Sequence, residues 1–211
     1  MHKRFVSHGG PTANAAVAAQ LTMHAATAAQ QSGVDFLHID STQQAGATFG
    51  KRLSRAMEQA FALGYEQLLV IGNDCPQLDT PLLRRALARL AEGGVVLGPA
   101  TDGGVYLMGV ARSYFEATAW GELPWQTAAL GQALVAHCQA TGATVHYLQR
   151  LADVDNEQDL AQLLRQPLTQ RLRRVLQGLR RLVSGWSFEL ANAVPQPAFA
   201  ASQPHRGPPS H

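Results

Sequence analysis

Short apolar runs, separated by longer stretches with helical spacing, occupy the first three quarters of the chain. The runs fall at residues 36–39, 68–71, 95–97, 105–110 and 145–148 and are rich in Val, Ile and Leu, which suit a strand buried on both faces. Between most of them the apolar positions recur at helical spacing, predicting helices over residues 13–31, 49–63, 127–141 and 156–164. One further helix has its start written in the sequence. Thr80-Pro81 offers an N-cap followed by proline at the first helical position, and Leu82, Leu83, Ala86, Leu87 and Leu90 then run down one face to Gly93-Gly94. Alternation of this kind predicts βα units around a largely parallel sheet, an α/β fold.

The pattern changes after Gln166-Pro167. Leu172, Val175, Leu176, Leu179, Leu182 and Val183 repeat at helical spacing with arginines between them, predicting one amphipathic basic helix over residues 166–184. Beyond it, the five prolines from Pro195 to Pro209, with Ser, Gln and Gly between them, predict a disordered tail over residues 185–211. Charge follows the same division. Residues 1–165 hold 11 Lys and Arg against 14 Asp and Glu, whereas residues 166–211 hold 6 Arg against the single Glu189, so the overall +2 hides two different segments. The expected organisation is a domain at 1–165, the basic helix, and the tail. The arginines of that helix suit a solvated face packed on the domain, or a weak peripheral contact with an anionic membrane surface or a partner.

A chain of 211 residues, 46% of them hydrophobic, can bury one good-sized core. No run approaches the roughly 18–20 apolar residues of a membrane span, since Asn14, Gln20, Thr22 and His24 interrupt the Ala-rich stretch at 13–29. The basic start Met1-His2-Lys3-Arg4 is not followed by an apolar signal core, so a cytoplasmic protein is expected. Cys75 and Cys138 lack the spacing of a zinc site or a disulfide framework, and the eight histidines form no H-x-H or H-E-x-x-H pair.

Three segments could carry chemistry. Gly72-Asn73-Asp74-Cys75-Pro76 places an acidic residue just past the carboxyl end of a buried strand, where open α/β sheets hold their ligands. Asp74 could there bind Mg²⁺ or Mn²⁺, or simply shape the turn before Pro76. Gly98-Pro99-Ala100-Thr101-Asp102-Gly103-Gly104 reads as a tight turn, or as a close backbone approach to a ligand with Asp102 taking a hydroxyl or amine. In the third, Asp155 followed by Gln158 makes a plausible capping box, and a second metal carboxylate is compatible with it. The usual glycine-rich phosphate cradles are missing, which leaves Arg52 as a possible bidentate phosphate partner or a solvated helix residue.

Four motifs in order then resemble a known family: Gly72-Asn73-Asp74-Cys75-Pro76-Gln77-Leu78; Val96-Leu97-Gly98-Pro99-Ala100 with Asp102-Gly103-Gly104-Val105-Tyr106-Leu107; Pro124-Trp125-Gln126-Thr127; and Asp153-Val154-Asp155. Together they resemble a bacterial family of GT-A-like transferases, a domain of unknown function also known as radical-SAM/selenodomain-associated glycosyltransferases. That family is similar to phospholactate guanylyltransferases and molybdenum-cofactor nucleotidyltransferases. The resemblance covers roughly residues 46–164 and implies a three-layer α/β/α Rossmann-like GT-A fold. It implies a metal on Asp74 with Asp155 as second ligand, Asp102 at the acceptor, and a nucleotide or nucleotide-sugar held by Arg52, Gly72, Asn73, Pro76, Gly103, Gly104, Trp125 and Thr127. Relatives open with a strand and a loop over the nucleotide, whereas here a helix follows Met1 almost at once, so the first strand is expected to be missing. The resulting expectation is a transferase of glycosyl or nucleotidyl groups to a small-molecule acceptor, with no nucleic acid partner. A degenerate, non-catalytic nucleotide-binding or interaction protein is the alternative.

Overall fold

The computed structural model describes Phe5 and residues 10–39 and 46–192 of the chain. Four strands, β1 (Gln67–Ile71), β2 (Val95–Pro99), β3 (Val105–Ala111) and β4 (Val145–Tyr147), form one sheet in the order β1-β3-β2-β4. Around it lie α1 (Gly10–Gln30), α2 (Phe49–Ala62), α3 (Thr80–Ala91), α4 (Ala117–Gly121), α5 (Leu130–Ala140), α6 (Glu157–Leu163) and α7 (Gln170–Asn192).

β3 runs antiparallel to both β1 and β2, while β2 and β4 are parallel, so the sheet is mixed rather than largely parallel. The physical reason is the link at residues 100–104. A chain that must return parallel needs a crossover of about a dozen residues or more, and this turn can only make a hairpin. β1, β2 and β4 nonetheless point the same way, and their carboxyl ends share one edge of the sheet.

Side chains alternate between two faces, as a period of two requires. Leu69, Ile71, Val96 and Leu107 join the core under α1 and α3, with Leu82, Leu83, Ala86 and Leu90. Leu68, Val70, Val95, Leu97, Met108 and Val110 face the other way into a core with Met57 and Phe61 of α2, Trp120 of α4, and Leu130 and Leu134 of α5. Helices on both faces make three layers. Each fully buried Leu or Val contributes about 1.5–3 kcal/mol relative to exposure, so the two faces anchor the sheet independently. A third cluster joins α1, α6 and α7 through Val17, Leu21, Leu160, Leu163, Leu176 and Leu179. α7 thus packs its apolar stripe on α1 and leaves Arg171, Arg173, Arg174, Arg180 and Arg181 exposed.

Some local expectations are corrected. Residues 36–39 form no strand; Phe36 packs against the first core, but Leu37 stays 45% exposed and residues 35–39 carry no regular structure. The cap of α3 is Asp79, whose carboxylate accepts from the Leu82 amide at 2.9 Å, and Thr80 is instead the first helical residue. α5 begins at Leu130, because residues 124–129 form a loop, and α7 runs on past the expected end at 184 to Asn192. Among the described residues no strand precedes β1; the tail beyond 192 lies outside them.

Candidate functional site

Three loops leave the carboxyl ends of β1, β2 and β4 and meet at one edge of the sheet. The first holds Gly72, Asn73 and Asp74. The Gly72 amide donates to the Tyr106 carbonyl at 2.9 Å, continuing the β1–β3 ladder, and the Asp74 carboxylate folds back over Gly72. Asn73 is exposed, but its carboxamide donates to Thr22 of α1 at 2.7 Å. Cys75 and Pro76 turn inward and are buried, which anchors the loop and places Pro76 in the packing beneath it.

The second loop is the β2–β3 turn. Asp102 Oδ1 accepts from the Gly104 amide at 2.8 Å, so the carboxylate shapes the turn that presents it, and Asp102 remains exposed. Gly103 has φ +91°, and a Cβ there would collide with the Ala128 carbonyl; only glycine meets both conditions.

The third is a strap from β4 to α6. Leu148 and Leu151 donate their amides to the carbonyls of Leu97 and Pro99 at 2.9 and 3.1 Å, and Thr101 donates to the Leu151 carbonyl at 3.0 Å. The strap then reaches the first loop, where the Val154 amide donates to the Asp74 carbonyl at 2.9 Å. That bond sets Asp155, one residue on, beside Asp74. The cap of α6 falls not to Asp155 but to Asn156, paired reciprocally with Asp159 in a capping box. The Asp155 carboxylate is therefore not the capping group, and Asp155 stands half-buried at the site.

Asp153 joins them and was missed as a candidate. Its Oδ1 accepts from the Thr101 hydroxyl at 3.1 Å, and its carboxyl is held above the usual range, first by burial and then by the charges of Asp102 and Asp155. The signal was present in Asp153-Val154-Asp155: alternation along an extended chain puts residues 153 and 155 on one side and Val154, which is buried, on the other. The site is an acidic rim at which carboxylates crowd.

The remaining candidates stand on other elements. Arg52 lies on α2, half-buried, with a guanidinium nitrogen 3.4 Å from the Gly46 carbonyl. Trp125 is a wedge: its indole N–H donates to the Trp120 carbonyl at 2.7 Å, its ring lies 5.9 Å from that of Phe49, and a Cβ on Gly50 would strike it. The Thr127 hydroxyl donates to the Pro124 carbonyl at 2.7 Å and closes the loop on itself. This loop borders the second one, because the Gly131 amide donates to the Gly103 carbonyl at 3.1 Å.

Three layers, a mixed sheet and loops that meet at the carboxyl ends of co-directed strands fit a fold of the nucleotide-diphospho-sugar transferase type. The chain is similar over 84% of its length to 87% of a "putative nucleotide-diphospho-sugar transferase" from Desulfovibrio desulfuricans G20, with a TM-score of 0.70 and 23% identity. The family described as "Uncharacterized protein conserved in bacteria (DUF2064)" matches residues 10–122, and the chain belongs to it. No curated protein matches. No helix among the described residues is long and apolar enough to cross a membrane.

Proposed function

We propose that the chain is a divalent-metal-dependent transferase that takes a nucleotide-sugar, or an activated nucleotide, as donor to a small-molecule acceptor in the cytoplasm. The observation that carries this proposal is the convergence of the three loops that bear Asp74, Asp102 and the pair Asp153 and Asp155 at the carboxyl ends of three co-directed strands, where open α/β sheets hold ligands. The donor atoms suit Mg²⁺ or Mn²⁺, which take hard oxygens and commonly one or two carboxylates, with substrate phosphates and water completing the shell. Asp74 and Asp155 would be those two. Among the described residues no three His, Cys, Asp or Glu side chains are grouped to hold an ion by themselves, so ion and donor phosphates should bind together.

When bound, such an ion neutralises the diphosphate leaving group. The chain's own residues then position the reactants. Asp102 borders the acceptor and orients a hydroxyl, while Gly103 and Gly104 allow close backbone approach. Transfer needs no covalent nucleophile, and the rate gain comes from placement and charge stabilisation. The test is a thermal-shift screen of nucleotides and nucleotide-sugars with and without Mn²⁺, followed by turnover of the best donor. Metal-dependent stabilisation with turnover is expected; stabilisation without turnover across an acceptor panel would favour a non-catalytic nucleotide binder, and no stabilisation would defeat the proposal.

A further inference from the structure

Gln126 is the only residue other than glycine, among those described, with a positive φ, at +61°. Side chains with a Cβ disfavour that conformation, and it persists only where the surroundings impose it. Its neighbours do so. The Trp125 amide donates to the Leu123 carbonyl at 2.7 Å, the Trp125 indole is held by Trp120, and the Thr127 hydroxyl bonds the Pro124 carbonyl while accepting from the Ala129 amide at 3.3 Å. Each flanking polar group thus serves the loop. The carboxamide of Gln126 serves none of these: it is exposed and makes no hydrogen bond among the described residues. Ala128 and Gly131 set this loop against Gly103, the residue after Asp102, and Gln126 lies on the same loop two positions before Ala128.

We propose that Gln126 is a specificity-determining residue that reads the hydroxyls of the sugar carried by a nucleotide-sugar donor. The inference rests on the transferase reading of the site. A carboxamide is neutral and offers both donor and acceptor atoms, which matches adjacent hydroxyls.

The test uses the full chain with Mn²⁺ and compares Gln126→Gly with the wild type. Melting is recorded, and calorimetric affinities are measured for UDP, GDP, UDP-glucose and GDP-mannose. The glycine variant should melt at or above the wild-type temperature and bind the bare diphosphates unchanged. Its affinity for the preferred nucleotide-sugar should fall about tenfold, the scale of one lost polar contact to a substrate. A lower melting temperature would make Gln126 a prop of the loop and overturn the proposal. Equal loss of diphosphate and conjugate, or unchanged preference for the conjugate, would also overturn it. A wild type that binds diphosphates but prefers no conjugate defeats this inference and leaves nucleotide binding standing; one that binds none of the four defeats the proposed function with it.

Discussion

The two ends of the sheet use polar groups in opposite ways. At the end where β1 starts and β3 stops, four polar side chains complete the backbone or a neighbour. Arg112 donates to the Phe61 carbonyl at 2.7 Å, Gln67 to the Leu90 carbonyl at 3.1 Å, and Tyr65 to Asp35 at 2.9 Å, while His146 lies 3.0 Å from the Gly93 carbonyl. At the other end the charge of Asp153 is disfavoured, first by burial and then by the carboxylates of Asp102 and Asp155. One end closes helix ends and loops; at the other, carboxylates from two loops bear on one another's charge.

Substitutions should separate the two ends. The largest effect is expected from Asp74→Asn, which keeps the size but removes the charge: metal-dependent nucleotide binding should fall by a factor of about 100 or more with melting little changed, measured by calorimetry. Undiminished Mn²⁺-dependent binding would break the assignment. Arg112→Ala should do the reverse, costing about 1 kcal/mol in urea unfolding by removing one of the hydrogen bonds to the Phe61 carbonyl, which keeps the Gly64 amide, and leaving ligand affinity alone. Within the ligand end, Asn156→Ala and Asp155→Asn sharpen the contrast between neighbours. The first should cost about 1 kcal/mol as a lost cap; the second should weaken metal-dependent binding with less loss of stability.

The smallest effect concerns pH. The folded-state pKa of Asp153 is raised, so the native state holds its proton more tightly than the unfolded chain, and stability falls as pH rises from the ordinary aspartate range through the folded value. Asp153→Asn removes that fall while keeping an acceptor for Thr101. Its melting temperature at pH 7 should exceed that of the wild type by no more than about 2–4 °C, with the gap closing below pH 4. A variant less stable than the wild type at neutral pH would show that Asp153 contributes favourably as a charge.

Four of the five expected strands and the principal helices were legible because their apolar periods are strong. Strand direction is legible at one link, where residues 100–104 read as a tight turn, and a turn that short makes β2 and β3 antiparallel rather than parallel. Residues 36–39 show the converse limit. Their apolar character reflects packing of Phe36 against the core under α1 and α3, and burial of one side chain does not require a ladder. At the site, Asp74 was legible from its place after a strand. Asp153 was not singled out, because its environment depends on Thr101 and Asp102, some fifty positions earlier. The caps of α3 and α6 were each misplaced by one residue, as expected where several Asp, Asn and Thr side chains compete for the same amides.

The strap that ends in the Val154–Asp74 hydrogen bond also orders events in time. The β2–β3 hairpin closes over a handful of residues, whereas that bond joins positions 80 apart in the chain and carries a far larger loop-closure entropy. On a ribosome, where roughly 5–20 residues emerge each second, the hairpin can form well before residue 154 has left the exit tunnel. A nascent chain can therefore close the β2–β3 hairpin well before β4 and the strap that completes the acidic rim are available.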